Sequence, residues 1–517
     1  MRRIGIDVGG TNTDAVLLDG TSVLHAVKTP TTADVTSGIT EALRRLLAAV
    51  PADARRVDAA MIGTTHFTNA VVQRRDLTPV AAVRIGLPAS ASLPPFIDWP
   101  EDLAAIVRGR VFMIAGGHEV DGRPIVPFDE AGMRRVAREI RVSGLRSVGV
   151  AAIFSPIDPS AEQMAGAILA EECPGLAVTL SHELGRIGLL ERENACLLNA
   201  GLVELARRTT RAFTDALAAS GLDAPLYLTQ NDGTVTLASQ AEAFPVYSFA
   251  SGPTNSMRGA AFLSGLDDAV VIDVGGTSTD VGCLKRGFPR EANAVVEVGG
   301  VRTLFRMPDL LSMGLGGGSL VEPAPLQIGP RSVGYRLTEE ALVFGGGTLT
   351  CTDLAVAGGL LQLGDPARVA HLPRDLIAAA IRAIHQRIAE AVDRMKTDAG
   401  EVPVIAVGGG SFLVPPAMPG VSRVVRVAHH SVANAVGAAI AQISGELDQV
   451  FQNMTREAAL AEARRLAEER AVRAGADRSS LEVVEVEDIP LAYLPGNSLR
   501  TRVRVVGSIA AEGTRSR

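Results

Sequence analysis

The chain contains two copies of a glycine-rich octapeptide, which agree at seven of their eight positions. The first copy is Asp7-Val-Gly-Gly-Thr-Asn-Thr-Asp14, and the second is Asp273-Val-Gly-Gly-Thr-Ser-Thr-Asp280. Each copy follows a short apolar run, and a second apolar run and a turn signal come after it. For each copy, this pattern predicts a strand, a glycine-rich turn, a second strand and a further turn that leads to a third strand.

Both turns have the residues that a phosphate-binding loop requires. Two adjacent glycines let backbone N–H groups approach an anion closely, and successive N–H groups that point inward form a concave site for phosphate oxygens. The threonine, serine and asparagine side chains of the turns add hydroxyl and amide donors. Two such turns that face each other would hold the phosphates of one nucleotide from both sides.

An aspartate opens each turn at the end of a predicted buried strand. An unpaired carboxylate is costly there, and hydrated Mg²⁺ is a natural partner, because this ion keeps several waters and is held by a few carboxylates and phosphates. The alternative interpretation is a pair of tight hairpins that bind no ligand, since motif matches also arise by chance. The presence of two near-identical copies favours the ligand-binding interpretation.

The composition is that of a globular protein and argues against several other classes. The chain has 517 residues, of which 47% are hydrophobic and 21% charged, and such a length predicts roughly two to four domains. The net charge of −7 and the lack of a basic cluster with interleaved aromatic residues argue against nucleic acid as the main partner. The only lysines are Lys28, Lys285 and Lys396, and none lies in a Gly-Lys-Ser/Thr sequence, so a Walker A loop is excluded.

The cysteines and the hydropathy pattern bear on the cellular compartment. The four cysteines (Cys173, Cys196, Cys283 and Cys351) are scattered without a C-x-x-C motif, which argues against a zinc cluster and a secreted disulfide framework. Asp7 interrupts the apolar stretch near the N-terminus, so no signal peptide is predicted. No apolar run reaches the length of a transmembrane helix. We expect a cytoplasmic protein that does not enter a membrane.

Other polar or glycine-rich turns follow predicted strands. At residues 63–70, polar groups could face a ligand cleft, or Thr64 or Thr65 could cap the helix that follows, and the sequence leaves both interpretations open. The glycines of residues 316–319 could form a flexible loop over a substrate or a tight turn. A further turn ends the predicted strand 402–407, where bare backbone would let an adenine ring pack closely, and consists of Gly408, Gly409 and Gly410.

The order of these segments is more specific than any one of them. The duplicated turn resembles those of the actin-like ATPase superfamily, and the ordered set resembles the ATP-binding subunit of the hydantoinase/oxoprolinase family. That family includes 5-oxoprolinases, ATP-dependent hydantoinases and lactamases, and the related acetone and acetophenone carboxylases. The segments that carry the resemblance are, in order, residues 4–14, 63–70, 199–200, 251–256, 272–280, 316–319 and 350–353.

The resemblance implies an α/β fold in which two actin-like ATPase (ribonuclease H-like) domains enclose a nucleotide cleft. The first phosphate loop would lie in a domain of residues 1–190, and the second would lie with the adenosine motif in residues 191–445. Residues 446–517 are predicted to form a small C-terminal α+β unit, with a helix and two alternating strands. Family members often carry a larger C-terminal region and work with a second, unrelated subunit, so a hydantoinase-type partner subunit and an oligomer are expected.

The resemblance also implies an activity. Mg-ATP would phosphorylate the carbonyl oxygen of a cyclic amide, such as a hydantoin, 5-oxoproline or another lactam, and water would then open the ring. The long predicted helix 191–220 begins with Arg192-Glu-Asn-Ala-Cys196, which differs from the version associated with 5-oxoprolinases and leaves the substrate open. Three alternatives also remain open: an acetone/acetophenone carboxylase-like subunit, a small-molecule kinase that releases its phosphorylated product, and a nucleotide-binding regulatory subunit.

The family's pattern assigns roles to residues of both turns. Asp7 and Asp273 would hold Mg²⁺ through water. Asp14 and Asp280 are candidates for a catalytic base or a supporting role, although either could instead cap its turn by hydrogen-bonding nearby N–H groups. The residues expected to bind ATP are Gly9, Gly10, Thr11, Asn12 and Thr13 on one side of the phosphates, Gly275, Gly276, Thr277, Ser278 and Thr279 on the other, and Gly408, Gly409 and Gly410 at the adenosine.

Four histidines invite interpretation as ligands. His66 lies in the turn of residues 63–70, although a lone histidine is more often an ordinary hydrogen-bonding residue. His429 and His430 precede a predicted helix and are interpreted as helix-entry residues. His118 lacks a second ligand at a metal-binding spacing.

Overall fold

The two octapeptide copies lie in two different β-sheets. The structure is a computed structural model and describes residues 1–9, 11–31, 35–51, 55–185, 187–292, 295–491 and 497–510. Sheets and helices are interleaved along the chain, which confirms the α/β class. Within these ranges, no helix is both long and apolar enough to cross a lipid bilayer.

The chain begins with the first octapeptide hairpin. The elements of this region are β1 (Arg2–Val8), β2 (Asn12–Asp19), β3 (Ser22–Pro30), α1 (Val35–Ala48), β4 (Ala59–Thr64) and α2 (His66–Gln73). Strand β1 is antiparallel to β2 and parallel to β4. Ile4, Ile6 and Val8 are buried in one core, and because side chains alternate along a strand, Asp7 lies on the opposite face of β1.

A separate four-stranded sheet follows. Its elements are β5 (Val80–Leu87), α3 (Glu101–Val107), β6 (Arg108–Ala115), α4 (Glu130–Ser143), β7 (Ser147–Ala152), α5 (Ser160–Glu172) and β8 (Ala177–Leu180). The strands are parallel in the order β6-β5-β7-β8 and share a core of their own. Parallel neighbours need a crossover connection, which accounts for the alternation of strands and helices in this part of the sequence.

The chain then returns to the first sheet through a long helix. The elements are α6 (Leu189–Ala219), β9 (Leu226–Thr229), β10 (Val235–Leu237), α7 (Ala238–Ala241) and α8 (Ser251–Ser264). Strand β9 is parallel to β4, although the four-stranded sheet separates them in sequence. Helix α6 packs against both α1 and β7 and thereby joins the four-stranded sheet to the first sheet.

The second octapeptide lies in a six-stranded sheet. The elements are β11 (Ala269–Val274), β12 (Thr279–Lys285), β13 (Phe288–Pro289), β14 (Val296–Val298), β15 (Val301–Thr303), β16 (Leu310–Met313), β17 (Ser319–Pro323), β18 (Leu326–Ser332), α9 (Leu337–Glu340), α10 (Cys351–Ala357), α11 (Arg374–Met395), β19 (Val402–Val407) and β20 (Val421–Arg426). The sheet has the order β13-β12-β11-β19-β20, and β16 also pairs with β12. Pairs β14-β15 and β17-β18 form separate hairpins.

The last part of the chain extends the first sheet. Its elements are α12 (Ala433–Ile440), β21 (Ile443–Phe451), α13 (Arg456–Arg473), β22 (Glu482–Pro490) and β23 (Leu499–Gly507). The complete first sheet has nine strands in the order β22-β23-β21-β10-β9-β4-β1-β2-β3. It therefore takes strands from all three segments delimited above (1–190, 191–445 and 446–517), so sheet membership does not follow those bounds. The predicted C-terminal α+β segment is joined edge to edge with the first sheet.

Helices α8 and α12 lie where the chain passes from one sheet to the other, and they are packed backbone against backbone. A Cβ atom on Gly259 of α8 would lie 1.8 Å from the Ala433 carbonyl oxygen, and one on Gly437 of α12 would lie 1.8 Å from the Asn255 carbonyl oxygen. Only glycine fits such contacts. The crossing brings the N-terminal ends of both helices to the ends of β1 and β11.

Candidate functional site

The two octapeptide turns have the same local structure. Gly9 N–H donates to the Asn12 carbonyl oxygen at 3.0 Å, and Gly275 N–H donates to the Ser278 carbonyl oxygen at 2.9 Å. In each hairpin the first aspartate is paired in register with the last, Asp7 with Asp14 and Asp273 with Asp280. The predicted strand, turn and strand are therefore confirmed for both copies. Gly10 lies outside the described residues.

The two turns face each other across a short gap. A Cβ atom built on Gly276 would lie 3.5 Å from both the Cγ2 and the Oγ1 atoms of Thr11. Thr11 and Gly276 are half-buried, and Thr277 is exposed. The structure thus brings the two copies together, although they belong to different sheets, and we refer to the place where the two turns meet as the crevice.

Asp7 is a buried carboxylate held by amides from two helices. Its side chain lies at the end of β1 and is 4% exposed. Asn255 Nδ2 of α8 donates to Asp7 Oδ1 at 3.3 Å, and Asn434 Nδ2 of α12 donates to Asp7 Oδ2 at 3.0 Å. Burial raises the pKa of Asp7 to about 6, and the charges of Asp14 and Asp273 add to this rise, against the two amides.

Asp14 is also buried, and it is paired with a lysine. Lys28 Nζ lies 2.5 Å from Asp14 Oδ1, and Asn434 Nδ2 donates to Asp14 Oδ2 at 3.0 Å. Burial raises the pKa of Asp14, whereas the Lys28 ammonium lowers it. One asparagine therefore bridges the first and last aspartates of the first octapeptide.

The second octapeptide has hydroxyl donors in place of these amides. Ser256 Oγ of α8 donates to Asp273 Oδ2 at 2.5 Å, and Ser312 Oγ donates to Asp280. Burial raises the pKa of Asp273, while the Ser256 hydroxyl and the Lys28 ammonium lower it. Burial also raises the pKa of Asp280 to about 6, although the Ser312 hydroxyl lowers it. Consecutive residues of α8, Asn255 and Ser256, thus bind the first aspartates of the two octapeptides.

The last threonine of each octapeptide is buried and bonded to neighbouring protein groups. Thr279 Oγ1 donates to the Leu315 carbonyl oxygen at 2.6 Å, and Thr13 Oγ1 lies 3.5 Å from Thr31 Oγ1. These two hydroxyls support the turns from within the sheets. Asn12 and Ser278 are half-buried and accept the hydrogen bonds that close the turns.

The turn predicted to flank the adenosine lies beside the second octapeptide. Gly408 has φ +85°, and a Cβ atom on it would lie 2.3 Å from Asp273 Oδ1. Gly410 N–H donates to the Val274 carbonyl oxygen at 2.7 Å, and Gly409 is exposed, with open space where its Cβ atom would be. A glycine is therefore required at 408, and the exposed backbone at 409 leaves room for a flat ring.

The glycines of residues 316–319 form a tight, anchored turn. Gly317 N–H donates to the Gly275 carbonyl oxygen at 3.0 Å, and Gly318 N–H donates to the Gly276 carbonyl oxygen at 2.7 Å. These bonds fix the back of the second octapeptide turn. Of the two interpretations of this segment, the structure supports the tight turn.

The histidines form ordinary hydrogen bonds. His66 Nδ1 lies 3.0 Å from Thr64 Oγ1, and burial lowers the pKa of His66. His430 Nδ1 lies 3.1 Å from Ser411 Oγ, next to the turn of Gly408. His118 Nε2 lies 3.5 Å from a carboxylate oxygen of Asp158. In the part of the chain that the structure describes, no group of three or more histidine, cysteine or acidic residues is placed to hold a metal ion by itself.

Four side chains at the crevice were not among the predicted site residues. Asn255 and Ser256 end the segment 251–256, which entered the sequence analysis only as one of the segments that carry the family resemblance. Asn434 lies outside all of those segments, and Lys28 is there only one of three lysines. The available signal for Asn434 was a single polar residue among the alanines and glycine of α12.

Two sequence patterns of one known protein family match the chain. The pattern described as the hydantoinase/oxoprolinase N-terminal region matches residues 3–173, and the pattern described as hydantoinase/oxoprolinase matches residues 192–365. Together these matches cover more than half of the chain, and each contains one octapeptide.

Curated relatives include subunits of two kinds of enzyme. The caprolactamase subunit alpha of Pseudomonas jessenii is 27% identical over 428 residues, which cover 75% of this chain and 58% of the relative. The acetophenone carboxylase gamma subunit of Aromatoleum aromaticum is 27% identical over 430 residues, which cover 75% of this chain and 57% of the relative. The chain spans less than two thirds of the length of these relatives.

The fold is also that of a solved structure. The ATP-dependent caprolactamase from Pseudomonas jessenii superposes with a TM-score of 0.77 over 98% of this chain and 88% of that chain, at 19% sequence identity. The likeness at this identity is one of fold. From the two family matches, the ordered segments and the shared fold, we conclude that the chain belongs to the hydantoinase/oxoprolinase family.

Proposed function

We propose that this protein uses Mg-ATP to phosphorylate the carbonyl oxygen of a cyclic amide, so that water can open the ring. The substrate class is a hydantoin, 5-oxoproline or another lactam. The observation that carries this proposal is the approach of the two octapeptide turns, with Thr11 of one beside Gly276 of the other. A crevice lined on both sides by glycine-rich backbone suits a chain of phosphates.

The residues of the crevice fit the nucleotide. A Cβ atom on Gly276 would be in van der Waals contact with Thr11, so the two turns are close neighbours, and the exposed Gly409 leaves bare backbone where an adenine ring can pack. In this proposal residues 9–13 contact one side of the phosphates, residues 275–279 contact the other, and residues 408–410 flank the adenosine. The buried hydroxyls of Thr13 and Thr279 act by shaping the turns, and backbone N–H groups donate to the phosphates.

The carboxylates of the crevice fit a hydrated divalent cation. The charges of Asp14 and Asp273 raise the pKa of Asp7, and the charge of Asp14 raises the pKa of Asp273, in each case after the larger effect of burial. A cation would relieve this repulsion. Because Mg²⁺ takes only one or two protein carboxylates and completes its shell with water and phosphate oxygens, Asp7 and Asp273 suffice as its protein partners. Bound there, Mg²⁺ would neutralise charge on the phosphates.

The protein's own contribution is to position the reactants and to manage a proton. An amide carbonyl is a poor electrophile, and phosphorylation of its oxygen makes the carbon more electrophilic. Water then adds to this carbon, the ring C–N bond breaks as the nitrogen takes up a proton, and the resulting acyl phosphate is hydrolysed to a carboxylate and inorganic phosphate. Asp280 is the better candidate for the base, because its pKa of about 6 leaves it ionised at neutral pH and still able to accept a proton. Asp14 is less suited, since its carboxylate is paired with Lys28.

A partner subunit forms part of the proposal. The two curated relatives named above are each one subunit of a larger enzyme, the alpha subunit of a caprolactamase and the gamma subunit of an acetophenone carboxylase. We therefore propose that this chain works in the cytoplasm as one subunit of a hydantoinase-type oligomer. The acetophenone carboxylase relative supports a second candidate, in which the same activation of a carbonyl oxygen serves carboxylation.

The test is phosphate release from Mg-ATP with a panel of 5-oxoproline, hydantoins and lactams, with the products identified by mass. Ring-opened product and ADP would support the proposal. A stable phosphorylated product would favour a kinase, carboxylated product would favour the second candidate, and turnover only after a second protein is added would reveal the partner. Absence of any ATP turnover, with and without a partner, would refute the proposal.

A second aspartate at the opposite end of β11 provides a control for the substitution of Asp273. Asp273→Ala should abolish ATP turnover, because it removes a carboxylate of the crevice. Asp268 immediately precedes the other end of β11, where it is exposed and forms a long ion pair with Lys285 at 3.9 Å. Asp268→Ala should therefore leave turnover near that of the wild type. Near-normal turnover in Asp273→Ala would exclude the metal-binding role.

A further inference from the structure

Lys28 places a positive charge beside a buried carboxylate of the first octapeptide. It lies on β3 in register with Asp14 on β2, so both side chains leave the sheet on the same face. Lys28 Nζ is 2.5 Å from Asp14 Oδ1, and 34% of the Lys28 side chain is exposed, whereas Asp14 is buried. The ammonium group therefore stands between this carboxylate and solvent.

The carboxylate that Lys28 contacts lies next to the crevice. Asn434 Nδ2 donates to Asp14 Oδ2 and to Asp7 Oδ2, each at 3.0 Å, so Lys28 lies, through Asp14, beside the aspartate that is proposed to hold Mg²⁺. The same hairpin carries Thr11, which lies against Gly276 of the second octapeptide. Lys28 is thus close to the place where the two octapeptide turns meet.

Strand β3 also holds the first turn in place. Just beyond the end of this strand, Thr31 N–H donates to the Thr11 carbonyl oxygen at 3.0 Å, and the Thr31 hydroxyl donates to the Gly9 carbonyl oxygen at 2.8 Å. These bonds lie three residues from Lys28. The backbone of β3 that carries Lys28 is therefore fixed relative to the turn that is proposed to contact phosphate.

The chemistry of lysine suits a moving contact in this place. The chain has 50 basic residues but only three lysines, so an ammonium group stands here in a chain that otherwise uses arginine. An ammonium group is a compact charge on a flexible stem, whereas a guanidinium is planar and suited to two oxygens at once. Asp14 keeps a hydrogen bond from Asn434 Nδ2 at 3.0 Å, so Lys28 can turn away without leaving that carboxylate unbonded.

We propose that the Lys28 ammonium contacts the terminal phosphoryl group of ATP in this crevice and stabilises its negative charge during transfer. This inference rests on the proposed function and adds a catalytic residue to it. The ammonium group donates hydrogen bonds to phosphate oxygens, and no covalent bond to it forms or breaks. The contact distinguishes ATP from ADP, which lacks the third phosphate.

The test compares two nucleotides in Lys28→Met, which keeps the length of the stem and removes the charge. Isothermal titration calorimetry would measure the Kd of Mg-ADP and of Mg-AMPPNP, a non-hydrolysable ATP analogue. A lost charge-assisted hydrogen bond should weaken AMPPNP binding about tenfold or more, and ADP binding should change less than about threefold. The control is Lys285→Met, an exposed lysine at the far end of β12, which should leave both values unchanged.

A double variant separates a contact with phosphate from simple neutralisation of Asp14. If Lys28 only balances the charge of Asp14, then Asp14→Asn combined with Lys28→Met should restore AMPPNP binding. We expect the AMPPNP-to-ADP affinity ratio to stay low in this variant. Restoration, or an equal loss for both nucleotides in Lys28→Met, would overturn the inference.

Two further outcomes are distinguishable. If Lys28→Met does not fold, the ratio is measured in Lys28→Gln, which keeps a hydrogen-bond donor for Asp14 and removes the charge, and an unchanged ratio together with wild-type ATP turnover would overturn the inference. A wild-type protein that binds neither Mg-ADP nor Mg-AMPPNP would instead refute the proposed function. Normal nucleotide binding by the wild type with an unaltered Lys28→Met would refute only the role of Lys28.

Discussion

Substitution of Asp7 by asparagine removes a buried negative charge from the end of β1 and changes little else in shape. Burial, with the charges of Asp14 and Asp273, raises the pKa of Asp7 from 3.8 to about 6. A difference of about two pKa units corresponds to roughly 3 kcal/mol by which folding disfavours the charged form. Removal of the charge should therefore stabilise the nucleotide-free protein.

Part of this gain is lost again in hydrogen bonding. Both Asn255 Nδ2 and Asn434 Nδ2 donate to Asp7, and an asparagine at position 7 has one acceptor oxygen and one donor group. One amide then faces another donor, which costs on the order of 1–2 kcal/mol. We expect a net stabilisation of about 1–2 kcal/mol at pH 8.

The size of the stabilisation by Asp7→Asn depends on pH. The folded protein has the higher pKa for Asp7, so the cost of the charge is fully present above about pH 6. It declines as pH falls from 6 towards 3.8, because the folded wild type takes up a proton that the unfolded chain does not. At pH 5 the advantage of Asp7→Asn should shrink to near zero.

Differential scanning calorimetry with a metal chelator present is the appropriate assay. A Tm increase of roughly 1–3 °C is expected at pH 8 for a chain of this length, with loss of ATP turnover. Asp268→Asn should show neither change. An Asp7→Asn variant less stable than the wild type at pH 8, or an advantage equal at pH 8 and pH 5, would refute the reasoning.

Two other substitutions probe the helices that cross between the sheets. Asn434→Ala removes an amide donor from Asp7, so the acidic limb of the kcat/KM profile for Mg-ATP should move to higher pH by up to about one unit; an unshifted limb would exclude this role. Gly437→Ala places a Cβ atom 1.8 Å from the Asn255 carbonyl oxygen and should cost about 3 kcal/mol or more, measured as a drop in Tm. Gly166→Ala is the control, because its Cβ atom would meet only side-chain atoms at 3.4 Å or more, and equal Tm values for the two glycine variants would contradict the close crossing.

The local parts of the site were predictable from the sequence. The hairpins follow from apolar runs on either side of two glycines, a pattern set within about ten residues. The long helix was expected at residues 191–220 and lies at Leu189–Ala219, because its apolar residues recur at helical spacing along its length. The strand 402–407 and the turn after it were expected because a short apolar run ends there in three consecutive glycines.

The assembly of the sheets was not predictable from these patterns. Strand β9 lies beside β4 although a four-stranded sheet separates them in sequence, and β21 joins β10 and β23 in the first sheet. Periodicity shows which face of a strand is buried but not which strand lies next to it. The residues that bind Asp7 belong to α8 and α12, and sequence periodicity could not identify them. Asn434, for example, is 427 positions away from Asp7 in the chain.

The inward orientation of two predicted phosphate ligands could have been found. Thr13 and Thr279 stand within the paired strands, opposite Val8 and Val274, so their side chains belong to the sheets. Thr11 and Thr277 precede the first residues of β2 and β12 and therefore remain in the turns. A phosphate-loop motif treats these threonines alike, whereas the start of the second strand distinguishes them.

The most direct test of the central claim is a crystal structure of the protein with Mg-AMPPNP. We predict that the triphosphate lies in the crevice and accepts hydrogen bonds from backbone N–H groups of both residues 9–13 and residues 275–279, with Mg²⁺ on the side of Asp7 and Asp273. A nucleotide that contacts only one of the two turns, or that binds elsewhere on the protein, would contradict the claim.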